Sequence, residues 1–291
     1  MLLEPKVLYA ARQDMDKMFA RYAMVPDSML LEQAKEKVRS DDVRNALVIY
    51  SIVVNRHDKE GASKEERKYL ARALNNLGYI YFYHYYDYQK AYLYLDKARK
   101  VTESDRLQGT QAYVYLNLGN LYSTLSDSQG RDKYFSEKPL QCYIIAFDAA
   151  CKAKEWNILQ VIYNNLLGNA YDHHQLSRIS KERRLFDRLH FPKNTPLVEH
   201  NDLYERMISL IEAGHYREAL SLANLALESV DTKETPERYR YSILSLQADI
   251  YEKLKDKEGL DATHHKMIQL LDKYDIKDLK VAFFCRMSTF Y

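Results

Sequence analysis

Residues 77–98 read LGYIYFYHYYDYQKAYLYLDKA. Leu77-Gly78 is followed by Tyr81, and further on Ala91, Leu95 and Ala98 stand at successive offsets of four and three. Large, small and aromatic residues at these offsets predict two antiparallel helices joined by a tight turn, the unit of a helical repeat. Glycine inside a helix costs about 1 kcal/mol relative to alanine, so a repeated mid-helix glycine points to close approach of a partner helix. The same Leu-Gly-x-x-aromatic string recurs as Leu118-Gly119 with Tyr122 and as Leu167-Gly168 with Tyr171. Gln247-Ala248 with Tyr251 is a weaker echo.

Tyr79, Tyr81, Tyr83 and Tyr85 alternate, a pattern that alone would indicate a strand. Ile80, Phe82 and Tyr86 on the other side are apolar too, so no polar face is left for an exposed strand, and both flanks are rich in helix formers. The stretch is therefore predicted to be helical.

Composition agrees. Eight glycines and six prolines in 291 residues, with 29% charged and 46% apolar residues, fit a helical protein, and a repeat array of this length grows as one domain, 1–291. The formal net charge of +2 provides no electrostatic footprint for nucleic acid. No run of eighteen apolar residues is present, so any membrane attachment would come from segments outside this sequence. The start, MLLEPKVLYAARQ, lacks the pattern of a signal peptide. Cys142 and Cys151 lie on one predicted helix, about 13 Å apart by helical rise, too far for a disulfide. With Cys285 they read as small buried hydrophobes.

In chain order, 1–25 predicts a leading helix with Leu8, Met15, Phe19 and Tyr22 on one face. Segments 29–39 and 43–55 form the first pair, and 57–62 is a polar linker. Ser63-x-x-Glu66 is a capping box opening the Tyr-rich helix. The next array helix starts near Asp105 and ends at Leu125. Residues 126–137 (SDSQGRDKYFSE) read as an inserted loop, followed by a helix with Pro139 in its first turn. The fourth pair takes 157–171 and a basic 176–189. Thr195-Pro196 and Thr235-Pro236 open the fifth and sixth pairs, and the six pairs together run from 27 to 274. A last helix, 276–291, has no partner. The small positions Ala34, Gly78, Gly119, Gly168, Met207, Ala248 and Ser288 recur at intervals of about 40 to 49 residues, longer than the usual ~34.

No nucleophile elbow, phosphate loop or HExxH is present, and the adjacent pairs His173-His174 and His264-His265 point about 100° apart on a helix, a poor arrangement for sharing a metal. The expectation is a chain without enzymatic activity, cofactor or metal. Asparagine is a poor helix-interior residue, yet Asn75 and Asn76, Asn117 and Asn120, and Asn164, Asn165 and Asn169 cluster around the Leu-Gly strings. The first helices of an array line its concave surface. Offsets from the small residue direct Asn75, Tyr79, Phe82 and Tyr83 towards it, then Leu116, Asn120 and Thr124, then Asn165, Asn169, Asp172 and His173. Tyr113 would add a further aromatic wall. Such a groove suits an extended peptide, a protein segment or a small polar ligand, because each amide both donates and accepts. The alternative is that Asn76, Asn117 and Asn164 hydrogen-bond between helices.

The whole chain resembles the tetratricopeptide-repeat superfamily, which implies an all-α right-handed superhelix of antiparallel helix pairs. More narrowly, Asn45-Ala46-Leu47-x-x-Tyr50, YIYFYHYYDYQKAY at 79–92 and LNLGNLY at 116–122 resemble the sensor region of one class of bacterial regulator. Those regulators join periplasmic repeats to a membrane helix, a coiled coil and a helix-turn-helix DNA-binding domain. The resemblance implies a periplasmic ligand or protein sensor separated here from its output domains. Otherwise the expectation is a cytoplasmic, constitutive scaffold for partner proteins, in either case with the oligomeric state open.

Overall fold

The computed structural model describes residues 20–128, 133–189, 196–231 and 237–276, with 279, 280, 283, 284 and 287. Most of the leading helix expected over 1–25, the Thr195 and Thr235-Pro236 caps and Cys285 lie outside them. The described residues contain no strand. The helices are α1 (Asp27–Arg39), α2 (Val43–His57), α3 (Lys64–Tyr83), α4 (Tyr88–Ser104), α5 (Gln108–Ser128), α6 (Lys133–Ala153) and α7 (Trp156–Asp172). A 3-10 turn (Leu176–Ile179) leads into α8 (Ser180–Arg188), followed by α9 (Pro196–Glu212), α10 (Tyr216–Asp231), α11 (Glu237–Leu254) and α12 (Lys257–Lys273). The chain divides into two compact units, 1–121 with 148–155 and 122–147 with 156–291.

In the first unit α1 packs on α2, α2 on α3 and α3 on α4, and the two first helices α1 and α3 also touch. In the second unit α9 packs on α10, α10 on α11 and α11 on α12, while the first helices α7, α9 and α11 meet in succession. Each unit is thus an all-α series of helix pairs in which a first helix contacts both its own partner and the next first helix.

The Tyr-rich stretch is helical, as its flanks required. Ser63 and Glu66 form the reciprocal capping box, Ser63 Oγ accepting from Glu66 N–H and Glu66 Oε2 from Ser63 N–H. Leu77, Ile80 and Phe82 then fall inside, because an apolar stripe wider than one ridge is what a helix covered on two sides needs.

The turns share one device. Asp41, Arg106, Lys154, His174, Gly214, Lys255 and Asp275 follow helix ends with φ between 48° and 78°. After each, the next N–H reaches back to a carbonyl five residues earlier, as in Asp42 N to Lys37 O at 2.8 Å and Asp256 N to Tyr251 O at 3.0 Å. This is the Schellman closure, which satisfies carbonyls left over by the helix. An aspartate then opens the next helix at Asp87 and Asp256, accepting from Lys90 N–H and Gly259 N–H. Only Gly214 in this series meets the left-handed backbone without a Cβ. Exposed Lys255 does not, so Lys255→Gly is expected to stabilise the protein by about 0.5–1 kcal/mol, read as a higher urea midpoint at unchanged slope.

The core of the first unit joins Leu30, Ala34, Ile49, Tyr50, Val53, Leu77 and Ile80, and that of the second includes Leu244, Met267, Leu271 and Phe283. At Gly78 two helices come close: a Cβ there would lie 2.6 Å from Leu95 Cγ and 3.3 Å from the Ala91 carbonyl oxygen. Gly168 is different, since the nearest atom to a Cβ is Tyr204 Oη at 3.5 Å, an ordinary contact. The close approach expected at every Leu-Gly string therefore does not hold at Gly168.

Two local expectations are corrected. The twelve-residue loop expected at 126–137 is mostly helix, since α5 runs to Ser128 and α6 starts at Lys133. Pro139 consequently lies inside α6, past its first turn. The polar linker at 57–62 begins with a buried residue: His57 Nε2 meets Asp27 Oδ2 at 2.9 Å, and neighbouring Arg56 holds Asp27 Oδ1 at 2.7 Å and the Val25 carbonyl at 2.9 Å. These contacts tie the chain entering α1 to the end of α2.

Candidate binding face and the polar pairs between first helices

α3 and α5 are successive first helices of the first unit, and their residues carry the expected groove. Tyr79 and Tyr113 are exposed, and Tyr83 and Asn120 are half-buried. The Tyr79 and Tyr83 rings lie 4.6 Å apart, one helical turn along α3, and Asn120 Nδ2 donates to Tyr83 Oη at 2.8 Å. Burial, and then the Glu155 carboxylate, push the Tyr113 hydroxyl up. The result is an aromatic strip with an amide fixed at its edge.

Three of the residues expected beside them are inside instead. Phe82 is 2% exposed, Leu116 6% and Asn75 6%, so none of them lines an open surface. Phe82 packs edge-on against Tyr83, 4.4 Å between centroids, and supports the strip from behind. Asn75 Oδ1 accepts from Asn117 Nδ2 at 3.0 Å, a buried pair bridging α3 and α5. Asn76 hydrogen-bonds Tyr50, whose hydroxyl burial raises and the Glu32 carboxylate raises further. Asparagine at these positions is therefore inter-helix glue.

In the second unit Asp172 is exposed, and Thr124, Asn165 and His173 are half-buried. Asn169 is buried, with its Oδ1 facing no partner, which corrects its expected place on the groove. What the second unit does assemble was not foreseen. Buried His200 of α9 sits with Nε2 at 3.2 Å from both Asn164 Oδ1 of α7 and Ser242 Oγ of α11. Its ring stacks on Tyr239 at 4.5 Å and on Tyr204 at 5.5 Å. Since Asn164 Oδ1 accepts, Nε2 carries the proton, and Nδ1 is buried without a partner. Nearby in sequence, Asn201 Nδ2 donates to the Gln160 carbonyl at 3.1 Å, and Tyr163 Oη to Glu205 Oε2 at 2.8 Å.

Four of these contacts span nearly the same length of chain. Asn75 and Asn117, Tyr163 and Glu205, and His200 and Ser242 are each 42 residues apart, and Gln160 and Asn201 are 41 apart. The members of each pair lie on adjacent first helices, about one repeat apart. Removing one member strands the other. Asn75→Ala is expected to cost about 1–3 kcal/mol, because Asn117 would keep a buried donor with no acceptor. The double variant Asn75→Ala/Asn117→Ala should cost less than the sum of the singles in urea titrations.

Among the described residues no group of three or more histidine, cysteine or acidic side chains is arranged to hold a metal ion, and no helix is long and apolar enough to cross a membrane. Cys142 is buried and Cys151 half-buried, both as free thiols. Compared with models of known protein families and with curated protein sequences, the chain matches none.

Proposed function

We propose that this chain is a non-catalytic, tetratricopeptide-like binding array that takes an extended peptide or protein segment on the α3 and α5 face of its first unit. The observation that carries the reading is the strip itself: exposed Tyr79 and Tyr113, half-buried Tyr83 and the Asn120 amide held against it. Tyrosine offers a flat, partly apolar surface with few rotatable bonds, so ordering it on binding costs little. Asparagine beside it supplies a donor and an acceptor for a peptide backbone. The likeness of 45–50, 79–92 and 116–122 to regulator sensor regions extends the proposal to a sensing role, with the ligand shifting an output carried elsewhere.

Panning a random-sequence peptide display library against the purified chain tests the reading. Selected peptides are expected to lose about tenfold or more in affinity for Tyr79→Ala/Asn120→Ala, the cost of one stacked ring and one buried amide pair. The variant should keep the parent's helical circular dichroism. Equal affinity for parent and variant, or peptides that compete only at the second unit, would overturn it.

A further inference from the structure

The α3 and α5 face of the first unit ends in a charge that the fold does not use. Along α3, Arg72, Asn76, Tyr79 and Tyr83 follow one another at offsets of four, three and four, so they share one side of the helix. Arg72 and Tyr113 are both exposed, and they stand three and four residues before Asn75 and Asn117, the buried pair bonded across α3 and α5. Each lies one turn along its helix from the same contact, which makes the two neighbours across the junction. The electrostatics agree. Burial raises the hydroxyls of Tyr50, Tyr69 and Tyr113, and at all three the Arg72 guanidinium acts in the opposite direction.

Among the described residues Arg72 makes no hydrogen bond and no ion pair. Two other cations of α3 differ: Arg67 holds Asp105, and Lys68 lies 3.9 Å from Glu65. Most acids whose charge reaches the same tyrosines have partners of their own. Glu32 lies 3.9 Å from Lys35, Glu65 is the partner of Lys68, and Asp27 is held by Arg56 and His57. Glu155 is different. It is exposed and lies over Gly109, one turn before Tyr113, where its Oε1 would stand 3.2 Å from a Cβ. Its charge acts on Tyr113 with the sign opposite to that of Arg72.

We propose that Arg72 is the specificity-determining residue of this face and selects a peptide carrying one aspartate or glutamate about three residues from the side chain seated on Tyr79. The inference rests on the peptide-binding reading of the same face. Arg72 lies seven residues from Tyr79, about 10 Å by helical rise, a distance that an extended chain covers in about three residues. A guanidinium pairs with a planar carboxylate through two parallel hydrogen bonds. Glu155 repels a second anion near Tyr113, so the face takes a single carboxylate and not an acidic run. A peptide's C-terminal carboxylate is captured by clustered backbone N–H groups. Arg72 and Tyr113 stand inside α3 and α5, where the N–H groups are bonded within the helix, so a side chain supplies the carboxylate.

A random-sequence peptide library displayed with its C terminus fused to the coat protein provides the test, since the carboxylates it offers are then side chains. Panned against the full chain, it is expected to yield peptides with aspartate or glutamate about three residues from an aromatic or aliphatic residue. The peptides carried forward are those whose binding Tyr79→Ala/Asn120→Ala weakens, so that a failure at Arg72 is told apart from a failure of the face. Replacing the peptide's acid by its amide, or Arg72→Gln in the protein, should each reduce affinity about five- to tenfold at unchanged helicity. The two changes together should cost no more than either alone. Arg72→Glu should prefer the same peptide with lysine in place of the acid. The proposal is overturned if Arg72→Gln leaves the preference for acid over amide unchanged, or if the acid stands at no fixed distance from the apolar residue. It falls together with the peptide-binding reading if no recovered peptide depends on Tyr79 and Asn120.

Discussion

Replacing Gly78 by alanine is expected to destabilise the protein by about 1–3 kcal/mol, while the same replacement at Gly168 stabilises it by about 0.5–1 kcal/mol. The two glycines occupy the same register in different repeats, and both follow leucine. At Gly78 the new methyl group would sit 2.6 Å from Leu95 Cγ and 2.8 Å from Leu95 Cδ2, with the Ala91 carbonyl at 3.3 Å behind. Leu95 is fully buried, so it has no empty space into which to swing, and a carbonyl inside a helix does not move without its turn. At Gly168 nothing stands nearer than Tyr204 Oη at 3.5 Å. There the methyl enters ordinary van der Waals contact, and what remains is the helix-propensity gain and the narrower unfolded ensemble. Urea unfolding of the two variants checks both signs. A loss at Gly168, or no change at Gly78, would show that helix approach and not residue type has been misplaced.

The contrast between those two positions also shows what the sequence could convey. The Leu-Gly strings, the Ser63-x-x-Glu66 box and the apolar run through Ile80 and Phe82 fixed helix identity, because each is a local signal acting within one or two turns. The turns were less legible. Most of their left-handed residues are not glycine, namely Asp41, Tyr86, Arg106, Lys154, His174, Lys255 and Asp275, while glycine marks the place at Gly61 and Gly214. Lysine or arginine in that conformation is tolerated because the Schellman bonds and the following helix define the backbone, and no local rule anticipates it. The Ser126–Glu137 composition points the other way: serine, aspartate and glycine are turn formers, yet both helices extend into the stretch.

For the site, residue type was readable and depth was not. Asn117 is 8% exposed and bonded to Asn75, while Asn120, three residues on, is half-buried and bonded to Tyr83. The offset from the small residue separates these two, since it directs Asn120 and not Asn117 towards the groove, but the same offset misplaces Asn75, which is 6% exposed. Leu116 and Phe82 are misplaced too, each buried although an exposed tyrosine, Tyr113 or Tyr79, stands three residues before it. His200 carried no local signal at all. Its neighbours Glu199 and Asn201 are polar, and its burial follows only from the meeting of α7, α9 and α11.

That burial has a measurable result. Stability is expected to fall by about 2–3 kcal/mol between pH 7 and pH 4.5 through His200 alone. Burial drives its imidazole down from the ordinary value of 6.5 to about 4. The geometry gives the cause: Nε2–H is already used on Asn164 Oδ1, and a second proton would sit on Nδ1, which faces no acceptor between two tyrosine rings. The folded value lies below the unfolded one, so the folded protein prefers neutral histidine. The stability this group contributes is complete above the unfolded value. It declines as pH falls from about 6.5 towards 4, where the unfolded chain takes up a proton that the folded chain refuses, and levels off below that. Other groups titrate in the same range, so the measurement is a difference. His200→Phe keeps a ring against Tyr204 and Tyr239 but cannot titrate, and its stability should approach that of the parent as the medium is acidified. A parent-minus-variant difference that stays flat from pH 7 to pH 4.5 would mean that His200 is hydrated in the folded protein and that the α7, α9 and α11 junction is open to water.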